Sequence, residues 1–499
     1  MDALIQVLAY VFSPVHFLFL VCGTAAGIVV GAIPGLSGST GIVLILPFLP
    51  ALGPTVGLLV MSGIFCGSMF GGSIASILIA TPGTPSAAAT VLDGYPMAQR
   101  GEAGRAIGIA LIASTIGGII SSLCMIFISP QLATIALQFG PDEYFALMVF
   151  GLTVIASVTG TSLVKGLMSG FFGLLVGLIG LDEVSGYARY SFGFPILMSG
   201  LPLLPVLIGV FAISHVFSEL ENAGKALKRF DQKITGVLPT WRELKQLLPV
   251  ILPSSVLGVI LGIIPGTGGS IASFMAYNEA KRFSKDPDSF GKGNPVGIAA
   301  PEAANNGTTG GAMVPMLTLG IPGDVVTAVM LGALVLIGVR PGPLLFTQHP
   351  EIVNSLFVGF LMAQFIMLGL GLATVRIWPR VLLVPTQVLL PLILALCLIG
   401  TFSSGNSIFD LFVALAFGVI GFFVNKYGFS PAALILGVIL GPLAERELGA
   451  ALIIAHGDWA QLFRSPLALV FFGISLLSVA YSMLRLSRAK KPKSVLPSG

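Results

Sequence analysis

The sequence predicts an all-α integral membrane protein: a polytopic bundle of two inverted-topology repeats with broken or re-entrant helices, plus one extra C-terminal span. Three observations predict it. Apolar residues make up 55% of the chain and charged ones only 9%, where a soluble protein carries roughly a quarter charged residues. Many apolar runs reach the ~20 residues that cross a bilayer. A glycine-proline stretch also occurs twice, Gly31-Ala32-Ile33-Pro34-Gly35-Leu36-Ser37-Gly38-Ser39 returning as Gly262-Ile263-Ile264-Pro265-Gly266-Thr267-Gly268-Gly269-Ser270.

The first span, about 15–33, has no basic residue before it, and its Gly-Pro end resembles no signal-peptidase site, so it reads as retained. It runs into the first Pro-Gly stretch. A second interruption follows in each half, Thr81-Pro82-Gly83-Thr84-Pro85 and then Ile321-Pro322-Gly323-Asp324. Proline removes an amide donor and glycine relaxes the backbone, so each stretch should break a helix. In hydrocarbon the freed peptide groups survive only where they are buried in protein or line a cavity. Paired breaks at matching positions of two halves point to a transporter's substrate site.

Charge orients the chain. No Lys or Arg precedes Arg100, so the N-terminus and the neutral loop 50–54 read as external, and the segment 93–105 with Arg100 and Arg105 as cytoplasmic. Spans follow at about 106–129, 143–160, 162–181 and 201–220, with Lys165 inside and Asp182 and Glu183 outside. The basic segment 221–246, with Lys225, Lys228, Arg229, Lys233, Arg242 and Lys245, is a cytoplasmic linker between a first repeat over 1–220 and a second over 247–455. A span at about 247–264 opens the second half. Its next loop carries Lys281, Arg282, Lys285 and Lys292 and reads as cytoplasmic; the loop near 341–350, with Arg340 as its awkward member, reads as external. Matched loops have thus exchanged charge, as inversion requires. Spans near 351–373, 382–402, 408–427 and 429–452 match the four of the first half. The remaining residues, 456–499, supply the extra span at about 465–486 and a basic cytoplasmic tail. The first breaks are offset by 231 residues and the second by 240, the longer basic loop accounting for the difference.

A broken helix aims its N-terminal amides and dipole into the membrane and attracts an anion, at ~0.3–1 kcal/mol from the dipole at an exposed site and more where water is excluded. The candidate substrate residues are therefore Ser37, Gly38, Ser39, Thr84, Pro85, Thr267, Gly268, Gly269, Ser270 and Gly323, joined by Asn305 and Asn306 of the polar stretch 301–311. None of the breaks brings its own Lys or Arg, so a carboxylate would be held by amides, hydroxyls and dipoles, with a co-bound cation offsetting repulsion. Asn306, Thr308 and Asp324 are the candidate Na⁺ ligands; Asp324 reads equally as a charge at a helix start. Glu302 reads either as a functional carboxylate or as an interfacial residue near the basic loop.

Other functions fit less well. Gly35-Leu36-Ser37-Gly38 matches an intramembrane serine protease pattern, which would need a histidine such as His215 or His456 as base, but the duplicated stretch lacks the serine. A passive anion channel or a non-transporting scaffold would not need paired breaks. Four scattered histidines form no metal-ligand spacing, no basic face suits nucleic acid, and Cys22, Cys66, Cys124 and Cys397 read as packing residues. No enzyme is expected.

The residues 31–38, Thr81 to Pro85 running into Leu92-Asp93-Gly94-Tyr95-Pro96-Met97, Tyr277-Asn278-Glu279-Ala280-Lys281-Arg282, Ser284-Lys285-Asp286-Pro287, Phe290-Gly291-Lys292-Gly293, the stretch 301–311 and Ile321-Pro322-Gly323 together resemble the large permease subunit of the tripartite tricarboxylate transporters, the TctA family. The resemblance implies a multi-pass permease of the bacterial cell inner membrane that takes up tricarboxylates such as citrate. It also implies a small membrane subunit and a periplasmic solute-binding protein as partners, and symport with Na⁺ or H⁺ as coupling ion. No other cofactor is expected, and the absence of Gly-x-x-x-x-Gly-Lys-Ser/Thr agrees with the lack of a nucleotide site. The remaining partners are the carboxylate and the lipid bilayer, with a homodimer compatible.

Overall fold

The computed structural model describes residues 2–158, 162–182, 184–221, 234, 236–382, 384 and 386–489 of the chain. Its longer helices, in order, are α1 (Asp2–Val11), α2 (Pro14–Ala32), α3 (Gly38–Ile45), α4 (Pro54–Ile79), α5 (Ala88–Gln99), α6 (Ala103–Ala136), α7 (Pro141–Val158) and α8 (Leu163–Gly177). A short hairpin of β1 (Gly180–Leu181) and β2 (Ala188–Arg189) precedes α9 (Leu203–Glu221). The second half supplies α10 (Trp241–Ile263), α11 (Gly268–Arg282), α12 (Val296–Leu319), α13 (Val325–Leu336), α14 (Pro350–Thr374), α15 (Thr386–Gly405), α16 (Ile408–Lys426), α17 (Pro431–Ile454) and α18 (Pro466–Ala489). Among the described residues eight helices are long and apolar enough to cross a bilayer. The protein is a polytopic all-α membrane protein.

All four expected breaks are present, for the local reasons that Pro and Gly impose. Ile33 and Ile264 are extended (φ −82°, ψ 118° and φ −78°, ψ 115°), because a following proline disfavours the helical region. Gly35 and Gly266 then turn left-handed at φ 86° and 82°, and α3 and α11 restart within three residues. The second breaks end in matching left-handed caps, Ala80 after α4 and Gly320 after α12, the usual way to stop a helix at its C-terminus.

The chain forms two compact units, Met1–Leu137 with Pro202–Phe422, and Gln138–Leu201 with Phe423–Gly499. Each unit draws on both halves of the sequence. Within the first, α2 packs on α4 and α10 on α12 by the same contacts. A side chain on Gly27 would collide with the Ile64 carbonyl, and one on Gly258 with the Ala304 carbonyl; Gly31 stands likewise against Ser68, and Gly262 against Thr308. Every pair is displaced by 231 residues on the first helix and 240 on the second, the two offsets of the breaks. Gly258→Leu should therefore cost ~3 kcal/mol or more through overpacking, read as a fall in the melting temperature of the detergent-solubilised protein.

Loops meet crosswise in this unit. Arg100, between α5 and α6, donates to the carbonyls of Lys292 (3.0 Å) and Gly293 (2.8 Å), just before α12. At α4, Thr55 shares a cavity of about 390 Å³ with Pro350, Glu351, Asn354 and Ser355 of α14. The two basic loops are thus neighbours, and so are the two uncharged ones.

In the second unit, α8 and α17 approach through Gly173 and Gly437, Lys165 donates to the Tyr427 carbonyl (2.6 Å), and Arg189 pairs with Glu445. Here the expected helix over 162–181 is corrected: it stops at Gly177, and 180–181 belong to the antiparallel hairpin, with Gly180 opposite Arg189. Beyond the spans Asp182 accepts from Ser185 and the Val184 N–H, which hold its carboxyl below the ordinary range. Lys225, Lys228, Arg229 and Lys233 of the expected linker, together with Glu183 and the tail from residue 490, lie outside the described residues. The span expected from 247 begins six residues earlier, where Thr240 caps α10 by accepting from the Glu243 N–H.

Candidate functional site

The four breaks converge in the first unit, again crosswise. Gly269 opens α11 with its Cα facing Asn305 and Thr308 of α12 and Ser86 of the turn Pro85–Ala87: a Cβ there would stand 2.5 Å from Asn305 Oδ1, 3.0 Å from Ser86 Cβ and 3.4 Å from Thr308 Oγ1. Gly268, at φ 59°, faces Asp324. Gly38, opening α3, faces Ser68 and Val326 of α13. The first break of each half therefore meets the second break of the other. Within the second half, the Gly266 N–H donates to Gly323 O (2.8 Å) and ties its two breaks together.

The side chains at these turns are small and hydroxylic because backbones must touch there while the helix starts still need polar company. Ser37 Oγ bonds Ser39 Oγ (2.7 Å) and Thr40 Oγ1 (3.3 Å). Thr84 Oγ1 bonds Ser86 Oγ (3.1 Å). Thr267 turns to the carbonyls of Leu261 and Ile264, so it closes its own turn. Ser270 stands half-buried in the first turn of α11, whereas Pro85 is exposed. Asn305 is fully buried; its Nδ2 donates weakly to Met69 O (3.4 Å) and its Oδ1 has no partner among the described residues. Rotating the amide by half a turn exchanges the two ends, so this position can offer a donor or an acceptor beside Gly269.

The three candidate Na⁺ ligands divide. Thr308 stands against Gly269, and Asp324 against the adjoining Gly268. Asp324 caps α13, its Oδ1 accepting from the Thr327 N–H and hydroxyl (both 2.8 Å) in a capping box, which is the helix-start reading of that residue. Asn306 lies on another face of α12: its carbonyl accepts from Ser121 of α6 (3.1 Å) and its Nδ2 donates to Glu302 O (3.1 Å).

Glu302 is wholly buried, and Thr90 (2.5 Å) and Ser114 (2.9 Å) donate to its two oxygens. The interfacial reading is corrected: α12 starts at Val296, which carries Glu302 inside the bundle. Asp93, unassigned from sequence, is also buried and accepts from the N–H groups of Gly291 (2.9 Å), Gly293 and Asn294 (both 2.7 Å) and from Tyr277 Oη (2.9 Å). Its signal was the stretch Leu92 to Met97.

The family described as "Tripartite tricarboxylate transporter TctA family" matches residues 17–436, a range that contains all four breaks. The chain belongs to the TctA family. An "Uncharacterized 52.8 kDa protein in TAR-I ttuC' 3'region" of Agrobacterium vitis is 34% identical over 484 residues, 96% of each chain. An "Uncharacterized protein in TAR-II ttuC' 3'region" of the same organism is 36% identical over 234 residues, 47% of this chain and 97% of that protein. No solved structure matches. Membership makes this chain the permease subunit of a tripartite tricarboxylate transporter. A transporter family also leaves the protease pattern without support: His215 and Glu219 approach Gly35, while the Ser37 hydroxyl is bonded to Ser39 and Thr40. In this TctA-family member the crossed breaks bring helix starts, hydroxyls and a buried amide together, with no Lys or Arg among the described residues at the turns.

Proposed function

We propose that this TctA-family permease takes up a tricarboxylate or related carboxylate, such as citrate, by ion-gradient-driven symport across the bacterial inner membrane. It works with a small membrane subunit and a periplasmic solute-binding protein that selects the cargo. The carboxylate is held at the starts of α3 and α11 by bare amides and by Asn305, Ser86 and the Ser37–Ser39 hydroxyls. One observation carries this reading: Gly269, Ser86, Asn305 and Thr308 share one spot, with Asp324 against the adjoining Gly268, and together they are drawn from three separate breaks and the polar stretch. The two halves are read as inverted repeats, supported by the recurring glycine contacts and by the crosswise neighbouring loops. Alternating access then comes from one bundle moving against another around the site.

Uptake measured in proteoliposomes with the cognate binding protein, across a panel of citrate, dicarboxylates and amino acids, tests the function. Saturable, gradient-dependent accumulation of a carboxylate is expected. Non-saturating conductance would make the protein a channel, and retention of no carboxylate by the binding protein would remove the substrate class.

A further inference from the structure

We infer that Glu302, with Thr90, Ser114 and Asn306, forms a Na⁺ site on the α6-facing side of α12, separate from the turn that holds Thr308 and Asp324; this deepens the proposed symport and rests on that reading. Among the described residues of the first unit the two fully buried carboxylates, Asp93 and Glu302, are in opposite situations. Asp93 has three backbone N–H groups and a phenol to spread its charge over. Glu302 has two hydroxyls and, among the described residues, no ion pair. Desolvating a carboxylate costs several kcal/mol even after relaxation, and two neutral hydroxyls do not offset that. A bound cation does.

The neighbours fit a hard cation. One turn along α12, on the same stripe as Glu302, the Asn306 Oδ1 is buried without a donor among the described residues, although its Nδ2 is satisfied. An acceptor left over one helical turn from an uncompensated carboxylate asks for positive charge. Carboxylate, hydroxyl and amide oxygens are the ligand types that hard cations take. On either side of this layer α6 is pressed against α12, through Gly117 on the Ala303 carbonyl and Gly310 on the Ser121 carbonyl, so the layer is sealed from lipid.

The placement explains coupling as well as binding. Asn305 faces the crossed breaks, while Glu302 and Asn306 face α6, on the same two turns of one helix. A positive charge on one face therefore lowers the cost of an anion on the other. Coupling of this kind is reciprocal, so each ligand raises the affinity for its partner.

The test uses the full-length purified protein with no carboxylate present, its melting followed as NaCl replaces choline chloride at constant ionic strength. The wild type should be stabilised by Na⁺ with saturation. Glu302→Gln, which keeps shape and removes charge, should melt no lower than wild type in choline and lose the Na⁺ response or need at least tenfold more Na⁺. Should that variant fail to fold, Ser114→Ala removes one ligand and should raise half-saturation severalfold. An unchanged Na⁺ response in Glu302→Gln, or a wild type that responds to pH but not to Na⁺, would overturn the site. A wild type that binds Na⁺ through Glu302 yet accumulates no carboxylate supports the site and sinks the transport reading instead.

Discussion

A chain carrying Ala-Ala in place of Pro265-Gly266 is expected to insert, to elute as a folded protein, and to transport nothing. In a helix interior proline costs ~3 kcal/mol and glycine ~1 kcal/mol relative to alanine, so the native pair opposes continuation of α10 into α11 by a wide margin. Removing it favours one continuous helix. The N–H groups at the start of α11 would then be spent on i→i−4 bonds, and the Gly266 N–H would leave Gly323 O. Gly269 would also rotate away from Asn305 and Ser86. Uptake should fall below ~1% of wild type, a loss of about 3 kcal/mol or more in transport. The Pro34-Gly35 pair, whose glycine turns left-handed as Gly266 does, should behave the same way. Normal uptake by either variant, with insertion checked by fluorescence-detected size exclusion, would remove these breaks from the mechanism.

The breaks were legible because proline and glycine act on their own neighbours. Ile33 and Ile264 became extended through the residue after them, and no distant contact was needed. The offsets of 231 and 240 that separate the breaks also relate which glycine meets which carbonyl, so the pairing of breaks read from the sequence recurs in the packing around them. Facing was not legible. Asn305 and Asn306 are adjacent, but adjacent helical residues point ~100° apart, and only the packing of α6, α11 and the turn Pro85–Ala87 decides which of them meets the break. Glu302 lay close in sequence to the basic loop, and its hydrogen bonds come from Thr90 and Ser114, some 190–210 positions earlier. Asp93 is bound by N–H groups about 200 positions later. The β1–β2 hairpin has two-residue strands, too short to show any period against an apolar background.

The sharpest test of the anion site is a one-atom change. Asn305→Asp keeps the shape of the side chain and replaces an amide with a charge beside Gly269. In the empty protein the start of α11 offsets only part of the cost of burying that charge. Melting in the absence of carboxylate should therefore fall below wild type, and half-saturation is compared on the fraction that elutes folded. With substrate present the same charge becomes a competitor: two unit charges ~4 Å apart at an effective dielectric of ~20 repel by about 4 kcal/mol, near a thousandfold in half-saturating carboxylate. Asn305→Ala, which removes one hydrogen bond and adds no charge, should cost only ~1 kcal/mol, about five- to tenfold. The order matters more than the sizes. If Asp and Ala raise half-saturation equally, the Asn305 amide does not face bound anion, and the crossed breaks hold something other than a carboxylate.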